Sequence, residues 1–362
     1  MPIPKIVVQE ERGAQLFSVL LKAENPRWGE TETPLAEETA AYFEQNPLPS
    51  EIAETIAKLH SEGVDEETLY NLALTYQHPE RAEKVLELAE KYKPHVQDPE
   101  EKRRMFLTAL ESFDKTFSAS QLARKFEDAI AHDKEERMKR MDATKTRIQN
   151  IIDFFRPDPA TATIRKVSFV PTDPLYRQNS GRAFSAFPGE QIIISHIDNV
   201  LNQDHEFSHG LINPIVEKLA RLLTEEQERR ISRLASEKLR QDYGDGYFSL
   251  LCEELIRTYT ELIEQGKHPE TREEFAAKVA AFPEEEFQNL LAHDNRLKTR
   301  CDALGIATIG DFIQKSSEYF DRYEKNPLRD LIFQLYQDYA NRLDKEQNFE
   351  QFFIDELPKR LT

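Results

Sequence analysis

Through residues 1–155 the apolar positions recur every three or four, the spacing that lines one face of an α-helix. Leu16, Phe17, Leu20 and Leu21 predict a helix over Ala14 to Ala23 that stops at Asn25-Pro26, and Thr33 is placed to cap the next, Pro34 to Gln45. Ile52, Ile56 and Leu59 mark a helix from Ser50 to His60 closed at Gly63, and Asp65 caps a segment bearing Leu69, Leu72 and Leu74. The pattern continues through Pro79 to Lys91 and Pro99 to Phe117, then as one long helical stretch from Ser118 to Phe155, with a break expected near His132-Asp133. The middle of that stretch, DKEERMKRMD, reads as a solvated helix face, because water satisfies charges of mixed sign. There is no fixed repeat period.

Helical periodicity gives way after Arg156-Pro157-Asp158-Pro159, where two prolines stop helix and mark a boundary between a helical amino-terminal region, residues 1–156, and a second region, residues 157–362. Strands are expected over Thr163 to Val170, Arg182 to Phe187 and Gln191 to Ser195, the last two flanking a hairpin turn at Pro188-Gly189. The third strand leads past Asp198 and Asn199 into a helix. Pro214 lacks an amide proton and its ring crowds the carbonyl of Gly210, so this helix should kink or end there, with Asn213 capping a successor that runs to about Leu223. Helix is expected again over Thr224 to Gln241, a loop at Tyr243-Gly244-Asp245-Gly246, and helix from Tyr247 to Gln265. The remaining third is helical and aromatic, with Tyr319 and Tyr323 in a stripe that reads as core. The fold class that follows is α+β, predominantly helical, with a small β-sheet.

Composition agrees, since Glu, Lys, Ala and Leu are abundant and only 11 residues are Gly. A chain of 362 residues can build one large or two medium cores. Its net charge of -18, from 66 acidic and 48 basic residues, repels phosphate backbones, so nucleic acid is not an expected partner. No apolar run is long enough to cross a bilayer and the first residues carry no export signal, which excludes membrane insertion and points to a cytoplasmic protein. Cys252 and Cys301 are too few for a disulfide framework and too far apart for a metal-binding pair, in keeping with reduced thiols.

The stretch QIIISHIDNVLNQDHEFSHGLINP, Gln191 to Pro214, carries the candidate chemistry. His205 and His209 stand four apart, which puts both imidazoles on one helix face at a separation one metal ion can bridge. Glu206 follows the first ligand directly, where its carboxylate can reach a water held there rather than the metal, the place of a general base for hydrolysis. Two histidines do not complete a catalytic zinc site, which needs a third protein ligand and an open position. A third histidine in the HExxHxxGxxH pattern is absent, because position 215 is Ile. A glutamate from the helix Tyr247 to Gln265 is the other common solution, and both Glu253 and Glu254 are available. Leu250, Leu251, Leu255, Tyr259 and Leu262 define the buried face of that helix; Glu254 lies nearer to it, so periodicity favours Glu254, with Glu253 on the far flank and Arg257 one turn below. His196, on the preceding strand, reads as a packed polar residue.

HEFSHGLINP followed by YGDGYFSLLCEELIRTYTELI resembles the zinc metallopeptidases of the glutamate zincin type. More narrowly, it resembles an uncharacterised bacterial peptidase-like family with HEFSH, an Asn-Pro pair and a helix of the form E-x-x-[VI]-R-[AT]. The resemblance implies that Glu253 is the third ligand, with Ile256, Arg257 and Thr258 completing the motif. It implies a zincin-like catalytic region, a Zn2+ held by His205, His209 and Glu253, hydrolysis of a peptide or protein substrate with Glu206 as general base, and Glu254 as the alternative ligand. Arg257 would then pair with a ligand carboxylate or bind a substrate carboxylate, and Asn213 is a cap or a substrate contact. The other function class is a helical scaffold or interaction protein that keeps the fold without turnover.

Overall fold

The structure, a computed structural model, describes residues 3–25, 33–93, 95–158, 164–171, 181–187, 189–342 and 347–361. The chain folds into two compact units, Met1–Gly210 and Leu211–Thr362. Among the described residues no helix is long and apolar enough to cross a membrane.

The first unit opens with strand β1 (Lys5–Val8) and continues through helices α1 (Arg12–Glu24), α2 (Pro34–Gln45), α3 (Ser50–Ser61), α4 (Glu66–Ala73), α5 (Ala82–Tyr92), α6 (Pro99–Ser118), α7 (Gln121–Lys139) and α8 (Met141–Phe155). Strands β2 (Lys166–Val170), β3 (Gly181–Phe187) and β4 (Glu190–Ser195) follow, and helix α9 (Val200–Ala220) begins there. Helix α1 is buried nearly all round, its Gln15, Ser18 and Lys22 included, and lies within the core. Its Phe17 meets Tyr70 and Phe106 edge-on, with ring centroids 4.7 and 5.3 Å away. The surrounding helices start where short polar side chains take up their free amides: Thr33 accepts from Ala36, Asp65 from Thr68 and Ser120 from Ala123.

The sheet has four strands in the order β1-β2-β4-β3. β1 and β4 run parallel to β2, and β3 lies antiparallel to β4, with Arg182 opposite Ile194 and Ala183 opposite Ile193. From Val167 to Val170 in β2 and from Gln191 to Ser195 in β4 every residue is buried, the pattern of strands covered on both faces. The expected hairpin is present. Gly189 takes up its turn at φ 82°, whereas Pro188 lies outside the described residues, as do Pro26, Pro159 and Thr163.

Four details depart from the sequence reading. The run KIVV near the start, placed within a helical region, is strand β1: four residues carry no decisive period, and pairing with β2 decides. The break in the long stretch falls at Arg140 rather than near His132-Asp133. There the charged segment is not wholly solvated, for Asp133 and Arg137 are buried and joined at 2.9 Å, and Arg137 Nη2 donates to the carbonyl of Ser195 at the end of β4 at 2.6 Å. Finally, α9 does not end at Pro214 but runs through it to Ala220, so Asn213 lies within the helix and caps no successor. Leu211, Ile212, Ile215 and Val216 are buried on either side of the exposed Pro214, and their burial outweighs one lost hydrogen bond and the ring's crowding, a cost of about 3 kcal/mol.

In the second unit come α10 (Glu225–Leu234), α11 (Glu237–Tyr243) and α12 (Tyr247–Arg257), which passes into a π-helical turn, Thr258–Ile263. Thr224 to Gln241 is thus two helices. Ser236 caps the second by accepting from Leu239. Beyond are α13 (Arg272–Ala280), α14 (Glu284–His293), α15 (Asn295–Ala303), α16 (Ile309–Tyr319), a second π-helical turn (Phe320–Glu324), α17 (Pro327–Ala340) and α18 (Phe349–Arg360). Tyr319 and Tyr323 are core residues, with Tyr319 stacked on Phe275 at 5.9 Å and against Phe312 at 4.8 Å. Around Phe349 a second cluster gathers Tyr336, Tyr339 and Phe353.

Removing Arg137 takes the ion partner from a buried carboxylate and a donor from a buried carbonyl at once. Arg137→Ala should therefore lower the unfolding free energy by about 3 kcal/mol or more in urea denaturation. A loss below about 1 kcal/mol, the scale of an exposed pair, would contradict the burial argument.

Candidate metal centre

The corner between β4 and α9 is tied by side chains that its own sequence supplies. Asn199 Oδ1 accepts from the amide of Asn202 at 3.0 Å and so caps the helix. The side-chain amide of Gln203 donates to the carbonyls of His196 and Ile197 at 3.1 and 3.0 Å, and Arg137 holds Ser195 from the other side. Arg147, from α8, places Nε 3.1 Å from both carboxylate oxygens of Asp204 and Nη2 3.0 Å from Gln203. Asp204 is buried, and that burial raises its carboxyl to about 6 although Arg147 pulls the other way.

One turn further on, the helix lies directly against the strand. Gln191 of β4 reaches across and donates to the carbonyl of Glu206 at 2.7 Å. A Cβ at Gly210 would lie 2.5 Å from Ile164 Cδ1 and 3.0 Å from both amide atoms of Gln191, so a side chain there would displace those side-chain ends and disturb the Gln191 bridge. Gln191 thus joins the strand to the helix turn that carries both His205 and His209.

The two imidazoles face one another. Their Nε2 atoms are 3.2 Å apart and their ring planes are inclined at 76°. Two nitrogens bound tetrahedrally at the usual zinc distance would stand about 3.3 Å apart, so the pair is already spaced for one ion. One ligand atom from each of His205, His209 and Glu253 lies within 4.8 Å of the other two, and among the described residues these three are the group that could hold a metal. Two neutral imidazoles and one carboxylate are a donor set that suits zinc. Glu206 is buried on the same helix, one residue beyond the first histidine.

Glu253 and Glu254 have been sorted by the packing of α12. Glu254 is fully buried, and its carboxylate accepts from Arg329 Nε at 2.5 Å, Asn326 Nδ2 at 2.6 Å and Thr258 Oγ1 at 3.2 Å. α17 supplies Arg329, the cap residue Asn326 and also Tyr336, whose hydroxyl donates to the carbonyl of Leu255 at 3.0 Å. Periodicity placed Glu254 correctly on the buried face, but its oxygens are spent on α17. Glu253, about 100° away around the helix, stands with Tyr243 and Arg257.

Arg257 approaches the Glu253 carboxylate at 3.9 Å, donates Nη2 to the Tyr243 hydroxyl at 2.7 Å, and lies 5.1 Å over that ring. Burial, and next the negative charge of Glu253, push the Tyr243 phenol up to about 12. Cys252 is a buried free thiol whose pKa burial raises, with Glu253 adding to the effect, so it stays protonated beside the site. His196 is buried and accepts from the amide of Asp198, and burial lowers its pKa. Asn213 is half-buried on α9.

Sequence reasoning did not single out Gln191, Arg147 or Tyr243. Gln191, a polar residue at the head of an apolar strand, was the one local signal. Arg147 acts from another element, and Tyr243 was marked only as the first residue of a loop. No known protein family, curated protein or solved structure matches the chain, so a functional reading rests on the site itself.

Glu254→Ala would leave Arg329 without its main partner inside the protein, which should cost about 3 kcal/mol of stability in urea melts of the metal-free chain. Glu253→Ala should cost less than Glu254→Ala, because Arg257 stands 3.9 Å from the Glu253 carboxylate, beyond hydrogen-bond distance, whereas Arg329 bonds Glu254 directly. Equal losses would mean that the two carboxylates are not divided between structure and site as described.

Proposed function

We propose that the chain is a zinc-dependent peptidase of the glutamate zincin kind, cutting a peptide or protein substrate, with a zincin-like catalytic region formed by the small sheet, α9 and α12. The observation that carries this reading is the convergence of His205, His209 and Glu253 within 4.8 Å, with Glu206 beside the first of them. A bound zinc would supply Lewis acidity, polarising the scissile carbonyl and lowering the pKa of water toward about 7. Glu206 would take the proton of the attacking water on its carboxylate and pass it to the leaving amine nitrogen. His205 and His209 enter as neutral imidazoles presenting Nε2, the atoms that already converge. Arg257, engaged with Tyr243, supports a role beside the ligand carboxylate better than capture of a substrate carboxylate.

The chain should purify with, or take up, about one zinc, because the three donors are spaced before the ion arrives. Metal content by mass spectrometry checks this, and a chain that takes up no added zinc sinks the reading. His205→Ala should lose the metal. Glu253→Ala should weaken zinc binding by orders of magnitude, whereas Glu254→Ala should leave the affinity of the folded fraction close to that of the parent.

Glu206→Gln separates the base from the ligands. The amide keeps the shape of the side chain and removes the proton acceptor, so zinc should stay and hydrolysis of a quenched peptide library should fall by at least about 100-fold. Undiminished turnover would show that Glu206 is not the base. A parent that binds zinc tightly and cuts no peptide would favour the inactive scaffold.

A further inference from the structure

The motif accounts for Glu253 but not for what holds it. Tyr243 ends α11, and the turn at Gly244, with φ 77°, precedes α12, the helix that bears Glu253. The Tyr243 hydroxyl accepts from Arg257 Nη2 at 2.7 Å and lies against the Glu253 carboxylate. Arg257 itself stops 3.9 Å short of that carboxylate, too far for a hydrogen bond. A phenol has one proton to give and lone pairs to accept with, so when Arg257 occupies a lone pair the proton is left for the carboxylate. Arg257 also lies across the ring at 5.1 Å, which restricts how the phenol can turn.

We infer that Tyr243 is a positioning residue for the third metal ligand: Arg257 loads its hydroxyl, and the hydroxyl donates to Glu253 and fixes the orientation in which that carboxylate meets His205 and His209. The inference rests on the metal-site reading above and adds a residue that lies outside both motifs. Outer partners that orient a ligand typically contribute about 10- to 100-fold to metal affinity, because a carboxylate free to rotate must be ordered when the ion binds.

The test is zinc affinity of the full chain, by competition with a chelator, together with the visible absorption of the cobalt(II)-substituted protein. Tyr243→Phe should keep the thermal midpoint of the metal-free chain, bind zinc about 10- to 100-fold more weakly, and shift the cobalt bands. Arg257→Lys, which keeps the charge but loses the fork that reaches the phenol, should show a smaller loss of the same kind. If Tyr243→Phe matches the parent in zinc affinity and cobalt spectrum, the inference is overturned and the site reading stands. A parent that takes up neither metal overturns both. A weaker affinity that tracks an equal fall in the metal-free midpoint makes Tyr243 a packing residue and overturns the inference alone. Should Tyr243→Phe not fold, Arg257→Lys decides, and an unchanged affinity there is the overturning result.

Discussion

A carboxylate buried as completely as Glu254 has to be paired, and the pairing sets the rotation of α12 about its own axis. Arg329 and Asn326 reach it from α17, Thr258 reaches it from the next turn, and Tyr336 grips the backbone one residue on. Turning the helix to bring Glu253 inward would leave Arg329 without its carboxylate and bury a charge without a cation, at several kcal/mol. With the rotation settled, Glu253 must emerge about 100° away, on the flank shared with Tyr243 and Arg257. A structural ion pair and a candidate ligand are thus linked through one helix, and neither can move independently.

The histidine pair depends on a different device. α9 is placed by polar groups at its start: Asn199 caps it, Gln203 and Arg137 hold the preceding turn, and Arg147 clamps Asp204. Buried polar groups of this kind are costly unless every one is satisfied, and a satisfied set is therefore specific for one geometry. Gln191 then ties the helix to β4 through the carbonyl of Glu206. The helical period sets the spacing of the two imidazoles, while the surroundings hold the helix.

Where local chemistry decides, the fold was legible. Thr33 and Asp65 cap the helices they were expected to cap, because a short polar side chain before an apolar stripe has one favourable use. The hairpin strands β3 and β4 follow from a β-branched run and a turn glycine. Legibility failed where partners lie far off in sequence. KIVV becomes a strand because β2 pairs with it, Arg137 turns inward because the carbonyl of Ser195 needs a donor, and α9 continues past Pro214 because apolar neighbours on both sides are buried.

The site divides along the same line. That His205 and His209 share a face, with Glu206 next to the first, is a property of the helical period, which covalent geometry imposes on any helix carrying those residues. Which of two adjacent glutamates joins them is not a local property. Periodicity ranks Glu254 as the more buried, and it is, but burial removes it from the site because Arg329, 75 residues away, takes its oxygens. Nothing local marks Tyr243 as a partner of Glu253. Its place beside Glu253 comes from the way α11 and α12 pack, and packing is settled by the whole set of buried interactions rather than by any one stretch of the chain.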